Sequence, residues 1–188
     1  MSGRESEPVE SGLGIDAVRC SAAEGRVALF ERIVEENEAV IYRFLCVTMG
    51  EPETARDILQ ETFMKAYLAL PRARPDTNYR NWLYTIARNT ARDEFRRRKR
   101  RVRLVHRDDL EAENGPVRAD EDGVLARETL RTALASLEPV TAQCVVMVAQ
   151  GLTYDEIARI TRISAGAVRA RVHRARESLR ESMKEERW

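Results

Sequence analysis

The chain has 188 residues, which suits one large domain or two small ones. Because 43% of them are hydrophobic and 34% charged, the chain can build a packed core, and wholesale disorder is excluded. No apolar run approaches the roughly 20 residues of a membrane span, and the N-terminus lacks the basic and apolar regions of a secretory signal. We therefore expect a cytoplasmic protein with no membrane insertion.

The charged residues are segregated along the chain, although the net charge is only +1. Residues 80–103 carry ten basic and two acidic side chains, whereas residues 104–125 carry two basic and seven acidic ones. This alternation indicates a DNA-facing element followed by an acidic spacer. We also hypothesise that the acidic spacer folds back on the basic face and weakens DNA binding by the free protein.

The first predicted module is helical. Residues 1–25 are polar and are expected to form a disordered tail. A helical apolar period starts at Val27, breaks at residues 50–52, and continues in helices predicted over 53–70 and 79–98, with a loop at 71–77. The apolar positions predict two buried faces. For the first helix these are Leu59, Phe63, Ala66, Tyr67 and Leu70, and for the second Trp82, Leu83, Ile86, Ala87, Thr90, Ala91 and Phe95.

The second predicted module follows a linker over 104–123 and occupies residues 124–188. Pro139 restarts a helix that ends at Gly151. Thr153 and Glu156 then form a capping box, which predicts a short helix, a tight turn at 161–163 and a last helix capped by Ser164. The predicted fold is thus all-α, with two small helical domains (26–103 and 124–188) joined by a flexible linker, the second a helix–turn–helix.

The last helix has the pattern of a DNA-recognition helix. Val168, Val172, Ala175 and Leu179 form its inner stripe, and its outward positions are basic: Arg169, Arg171, His173, Arg174 and Arg176. Arginine suits both guanine edges and phosphates. The plainer alternative is a solvated basic face on an ordinary helical hairpin.

The predicted 79–98 helix and the basic residues after it form a second basic element. One of its faces carries polar and basic side chains at spacings of three and four: Asn81, Thr85, Arg88, Arg92 and Arg96. A nearby polyanion would offset the repulsion between these like charges. Trp82 either packs in the core or stacks on an exposed base. The 96–101 run by itself is also consistent with a plain electrostatic patch.

Asp57, Gln60 and Glu61 lie on the polar side of the 53–70 helix. Two carboxylates one turn apart are compatible with acid–base chemistry, but no nucleophile, histidine or metal ligand accompanies them. His106 and His173 are isolated, and the three cysteines show no CxxC spacing, so no metal, cofactor or enzymatic activity is predicted. The polar side is either a docking surface for a basic protein or a solvated face.

Three motifs in order resemble bacterial sigma factors, and the two-module layout resembles the extracytoplasmic-function group. The motifs are Asp-Ile-Leu-Gln-Glu-Thr-Phe at 57–63, Asn-Trp-Leu-Tyr-Thr-Ile-Ala-Arg-Asn-Thr at 81–90 and Leu-Thr-Tyr-Asp-Glu-Ile-Ala at 152–158. The resemblance covers about residues 27–102 and 125–182.

The resemblance implies a dissociable promoter-specificity subunit of RNA polymerase. Its implied partners are promoter DNA, the core enzyme, bound through the clamp helices of the largest subunit and the flap of the β subunit, and an inhibitory anti-sigma factor. It assigns Asp57, Gln60 and Glu61 to polymerase binding. It assigns Asn89 to the −10 element and Arg169, Ala170, His173 and Arg174 to the −35 element. With the basic residues of the same two helices added, the predicted sets are Arg80, Arg88, Asn89, Arg92 and Arg96 for the −10 element and Arg169, Ala170, Arg171, His173 and Arg174 for the −35 element.

The recognition helix departs from the family pattern at Ala167, where threonine is usual, and at Ala170, where serine is frequent. Two other classes of function remain to be weighed. A stand-alone helix–turn–helix regulator would need a dimerisation stripe, and a nuclease would need clustered carboxylates near the basic face. Neither feature is evident in the sequence.

Overall fold

The structure, a computed structural model, describes the backbone of residues 13–105 and 132–185 and the side chains of 24–101 and 132–181. The chain divides into two compact units, residues 1–36 and residues 37–188. The described residues form helices joined by turns and contain no strand. The prediction of an all-α fold is therefore confirmed. The predicted linker lies almost entirely in 106–131, outside the described residues.

Helix α1 spans Leu13–Met49 and begins earlier than expected. Residues 13–25 are helical, whereas the sequence pattern predicts a disordered tail there; residues 1–12 lie outside the described range. Alanines at 17, 22 and 23 favour the helix, and its two glycines, Gly14 and Gly25, each cost at most about 1 kcal/mol relative to alanine. Helical propensity thus persists in a segment that has no apolar period.

The second unit begins with the N-terminal bundle, which comprises residues 37–49 of α1, helix α2 (Pro52–Ala69), a short 3-10 turn (Leu70–Arg72) and helix α3 (Tyr79–Val105). Gly50 has a φ of +75°, which glycine adopts without strain, and it turns the chain out of α1. Pro52 in the first turn then starts α2, as predicted. Asn78 precedes α3, and its side chain accepts a hydrogen bond from the Asn81 amide at 3.1 Å.

The core of the N-terminal bundle matches most, but not all, of the predicted faces. The fully buried set contains Ile41, Phe44, Leu45, Ala55, Ile58, Ala66, Leu83, Tyr84, Ala87 and Ala91. Phe95 was predicted to be buried but is 44% exposed, and Phe63, Tyr67, Trp82 and Ile86 are only partly buried. Phe95 lies in the second half of α3. The apolar spacing continues to this position, but the other helices do not bury it.

The C-terminal bundle contains helices α4 (Pro139–Ala149), α5 (Tyr154–Thr161) and α6 (Ala165–Glu185). Gly151, with a φ of +88°, separates α4 from α5. Thr153 and Glu156 form the predicted capping box, and the Ser164 hydroxyl accepts the Ala167 amide at 3.2 Å. Arg162 adopts the left-handed conformation in the turn between α5 and α6. The helix–turn–helix prediction is confirmed, and Ser164 supplies an N-terminal cap beside the hydroxyl-less Ala167.

Candidate nucleic-acid interface

Helix α6 buries one stripe and exposes the opposite, basic face. Val168, Val172 and Ala175 are buried against the rest of the C-terminal bundle. The outward positions Arg169, Ala170, His173 and Arg174 are exposed, as the recognition-helix pattern requires. These four residues form the outer face of α6.

Two side chains on this outer face have partners that orient them. The Arg169 guanidinium lies over the ring of Tyr154, 5.7 Å from its centroid. This cation–π contact favours one arrangement of a long, flexible side chain. The His173 Nδ1 atom lies 3.3 Å from the Glu177 carboxylate one turn away, and both groups are mostly exposed.

Arg171 belongs to a different environment from its neighbours on α6. Its guanidinium pairs with Glu138 at 2.5 Å and donates to the Thr141 hydroxyl at 3.2 Å. Burial raises the pKa of Glu138, but hydrogen bonding by Thr141 and the Arg171 charge outweigh this, so the net pKa is lowered. Arg171 therefore ties α6 to the start of α4, a contact that sequence spacing does not show.

Helix α3 presents the second set of predicted DNA-binding residues. Arg92 and Arg96 are exposed, whereas Asn89 and Arg88 are partly buried. The Nε atom of Arg88 is buried without a hydrogen-bond partner in the structure. Burial lowers the pKa of Arg88, and the like charges of Arg92 and Arg162 lower it further. Arg88 thus has unsatisfied capacity to bind an anion.

The basic run at the end of α3 divides between two environments. Arg97 contacts Glu61 at 3.0 Å, and Arg98 contacts Glu51 at 3.3 Å; both also pair with Glu94. Arg101 reaches the same Glu94 carboxylate at 3.2 Å. Arg97 ties α3 to α2 through Glu61, and Arg98 ties α3 to Glu51, the residue before α2. The run is therefore only partly available as the electrostatic patch that the sequence suggested.

The polar side of α2 has two exposed residues and one internally paired residue. Asp57 and Gln60 are exposed, whereas the Glu61 side chain is only 30% exposed. Glu61 contacts Lys65 at 2.8 Å as well as Arg97. Hydrogen bonding by Lys65 is the main cause that lowers the pKa of Glu61, and Arg97 adds to it against the effect of burial.

Two apolar side chains that the sequence analysis did not single out lie along the same side of α2. Met64 is 64% exposed and Leu68 is 71% exposed, and they follow Gln60 at intervals of four residues. Exposed large apolar side chains next to polar ones are typical of protein-binding surfaces. The sequence did contain a signal for this surface. Met64 and Leu68 follow Gln60 at intervals of four residues, which places them beside it and outside the predicted buried face.

Trp82 is partly buried, and its ring meets that of Tyr79 edge to face, with centroids 6.1 Å apart. It is neither fully in the core nor free on the surface. In the described parts of the chain, no three histidine, cysteine or acidic side chains are grouped as metal ligands, and no helix is long and apolar enough to cross a membrane.

Comparison with known families finds matches to two separate segments of the chain. The family description "Sigma-70 region 2" matches residues 33–101, and "Sigma-70, region 4" matches residues 127–179. The RNA polymerase sigma factor CarQ of Myxococcus xanthus is 32% identical over 163 residues, which are 86% of this chain and 93% of CarQ. The ECF RNA polymerase sigma factor SigE of Mycolicibacterium smegmatis is 29% identical over 93% of this chain and 69% of its own length.

Solved structures show the same architecture. The sigma factor RpoE of Bartonella quintana, crystallised with the anti-sigma factor NepR, matches with a TM-score of 0.73 and 26% identity over 82% of this chain and 96% of its own. CnrH, solved with the cytosolic domain of CnrY, matches with a TM-score of 0.64 and 25% identity over 88% of this chain and 94% of its own. The chain is therefore a member of the extracytoplasmic-function sigma factors, the non-catalytic subunits that direct bacterial RNA polymerase to promoters.

Proposed function

We propose that α6 reads the −35 element, α3 receives the −10 element and α2 docks on core RNA polymerase. The proposal depends chiefly on the outer face of α6, where basic side chains are exposed directly opposite a fully buried stripe. In domain terms, residues 26–103 act at the −10 element and residues 124–188 at the −35 element, with 104–123 as the linker.

At the −35 element, α6 enters the major groove with Arg169, Ala170, His173 and Arg174 towards the bases and phosphates. Tyr154 holds the Arg169 guanidinium above its ring, which reduces the conformational freedom lost on binding. Arg171 was also predicted to act at this element because of its outward position in the helical pattern. Because it pairs with Glu138 and Thr141, we place it as a residue that holds α6 against α4, and not as a base-reading one.

At the −10 element, Arg92 and Arg96 supply exposed positive charge for the backbone of a single strand, and Asn89 lies one turn earlier. The unpartnered Arg88 Nε is the strongest local support for an anionic ligand. Arg80, also assigned here, is engaged by the C-terminal bundle in this structure. Capture of an extruded base offsets its unstacking cost and favours strand opening.

Polymerase docking uses Asp57 and Gln60 together with Met64 and Leu68 on one side of α2. The carboxylate suits a basic partner, and the two exposed apolar side chains supply the area that desolvates on binding. Glu61 shapes this side through Lys65 and Arg97. The β-subunit flap is the expected partner of the C-terminal bundle.

An anti-sigma factor is the expected inhibitor, since the RpoE and CnrH structures were solved with NepR and with the cytosolic domain of CnrY. The same exposed apolar pair on α2 offers such a protein a docking surface. Polymerase and promoter DNA are in the bacterial cytoplasm, so the protein is expected to act there.

Transcription in vitro tests the proposal. Core polymerase with this chain should start transcripts at defined positions on genomic DNA, and sequencing their 5′ ends should reveal shared −35 and −10 elements. The Met64→Glu and Leu68→Glu double variant should lose core binding, whereas Met64→Leu should retain it. If the wild-type chain neither binds core polymerase nor directs initiation, the proposal is wrong.

A further inference from the structure

One face of α3 is bound by the C-terminal bundle. Arg80, Asn81 and Tyr84, at positions i, i+1 and i+4, each make a hydrogen bond to that bundle. Arg80 Nη2 donates to the Gln150 carbonyl at 2.5 Å, Asn81 Nδ2 donates to Glu156 Oε1 at 2.7 Å, and the Tyr84 hydroxyl donates to Gln150 Oε1. These bonds join residues 66 to 75 positions apart in the sequence.

Gln150 is the residue on which this contact converges. It lies just after α4, in the turn that ends at Gly151. Its side-chain amide donates to the Val40 carbonyl of α1 at 3.0 Å while its side-chain oxygen accepts from Tyr84. With its own carbonyl bound by Arg80, Gln150 connects α1 and α3 of one bundle to the other bundle.

Glu156 has two roles in the same contact. One carboxylate oxygen closes the capping box by accepting from the Thr153 amide and hydroxyl, both at 2.8 Å, and the other accepts from Asn81. Tyr84 is completely buried, with its ring packed edge to face on Phe44 at 5.2 Å. The contact therefore buries Tyr84 and leaves Arg80 and Asn81 only partly exposed.

Next to this contact, Arg88 has a buried donor without a hydrogen-bond partner. Arg88 lies one turn beyond Tyr84, is partly desolvated, and experiences the like charges of Arg92 and of Arg162 from the helix–turn–helix. Its Nε has no partner. In the described residues, the hydrogen bonds between the bundles use one carboxylate, that of Glu156. Beside them, Arg88 and Arg162 bring like charges from the two bundles close together. Hydrogen bonds that act against this repulsion suit a contact that opens when an anion binds the arginines.

We propose that in the free chain the C-terminal bundle acts as an intramolecular cover for the N-terminal half of α3, with Gln150 as its latch. The cover excludes single-stranded DNA from the face next to Asn89 but leaves the outer face of α6 exposed. Its significance for promoter opening rests on the proposed function, although the closed contact itself does not. Release of Gln150 is then a step of assembly with polymerase and promoter.

The closed contact is tested first without DNA or polymerase. Gln150→Ala removes both side-chain bonds, and Tyr84→Phe removes one hydroxyl while it keeps the ring against Phe44, so the second variant serves if the first does not fold. Ala149→Ser changes the exposed neighbour of Gln150 and is the matched control. The latch variants should show faster amide hydrogen exchange in segments 79–87 and 150–157 and a larger radius of gyration in X-ray scattering than wild type and control. Unchanged exchange and radius would overturn the proposal.

The functional consequence is tested with two DNA probes of mixed sequence, a labelled 12-nucleotide single strand and a 20-base-pair duplex. If the closed state holds about nine-tenths of the free chain, the latch variants should bind the single strand about tenfold more tightly, while duplex binding through α6 stays unchanged. Equal gains on both probes, or none on the single strand, would overturn the cover role. Failure of the wild-type chain to bind core polymerase would instead refute the proposed function and leave the exchange result standing.

Discussion

Replacement of Arg169 or Arg171 by alanine should separate two classes of arginine on the same helix. Each substitution removes one positive charge from α6, so their long-range effects on DNA attraction are matched. Arg169 is exposed over Tyr154, whereas Arg171 is paired with Glu138 and Thr141. We expect Arg169→Ala to weaken DNA binding and Arg171→Ala to weaken the fold of the C-terminal bundle.

The expected magnitudes follow from those environments. A side chain that contacts a base contributes about 1–3 kcal/mol, so Arg169→Ala should weaken binding by about 5- to 150-fold. A phosphate contact would instead lower the salt slope of log K by about 0.9. The Arg171 side chain is 32% exposed and that of Glu138 is 53% exposed, so solvent screening limits this pair to less than about 1 kcal/mol of stability.

Both effects can be measured on the full chain. Fluorescence anisotropy on a duplex that carries the mapped −35 element, at several salt concentrations, gives affinity and slope. Urea unfolding followed by circular dichroism gives stability. Loss of affinity and slope in Arg171→Ala equal to that in Arg169→Ala, with unchanged unfolding, would refute the division between reading and structural arginines.

Three further predictions concern the fold. Thr153→Ala should lower the free energy of unfolding by about 1 kcal/mol because it removes the capping hydroxyl, whereas Thr153→Ser should keep the hydroxyl and the stability. The midpoints of urea unfolding measure the difference, and equal midpoints for the two variants would contradict it. Burial raises the pKa of the Cys144 thiol to about 11, so at pH 8 iodoacetamide should label it far more slowly in the native than in the unfolded chain, and equal rates by mass spectrometry would contradict this burial. Hydrogen bonding by Lys65 lowers the pKa of Glu61, so its contribution is present above the ordinary value of 4.5 and lost as pH falls through the lowered pKa. The stability gap between wild type and Glu61→Gln should therefore be full above the ordinary value of 4.5 and shrink as the pH falls below it, and a gap that stays constant in urea unfolding from pH 6 to pH 3 would contradict this.

Local signals predicted the helix–turn–helix well. The capping box, the glycine after α4 and the Ser164 cap each act within a few residues, so their geometry is determined by neighbouring side chains. Apolar spacing predicted an inner stripe of Val168, Val172, Ala175 and Leu179; the first three are buried, and Leu179 is only partly buried.

The partners of individual arginines were not predictable in this way. Spacing placed Arg97 and Arg98 in one basic run, but Glu61 and Glu51 reach them from a distant part of the sequence. Arg171 likewise looks like its neighbours until Glu138 is brought beside it by the fold. Charge patterning identifies which helix is basic, whereas tertiary contacts decide which of its arginines remain for DNA.

The contact between the bundles also fell outside sequence reasoning, and its chemistry has a consequence for salt dependence. The side chains of Gln150 and Tyr84 form neutral hydrogen bonds, whose strength changes little with ionic strength, whereas the proposed phosphate contacts by Arg92 and Arg96 would release counterions. A latch built from ion pairs would loosen in the same salt that weakens DNA binding, and the two effects would offset each other. The Gln150 side chain makes only neutral bonds, and salt also screens the repulsion between Arg88 and Arg162, so added salt should not loosen the closed contact. Plots of log K against log salt for single-stranded DNA should therefore place Gln150→Ala above wild type at every salt concentration, without convergence at high salt. Lines that converge at high salt would show that charge, and not the glutamine, holds the bundles together.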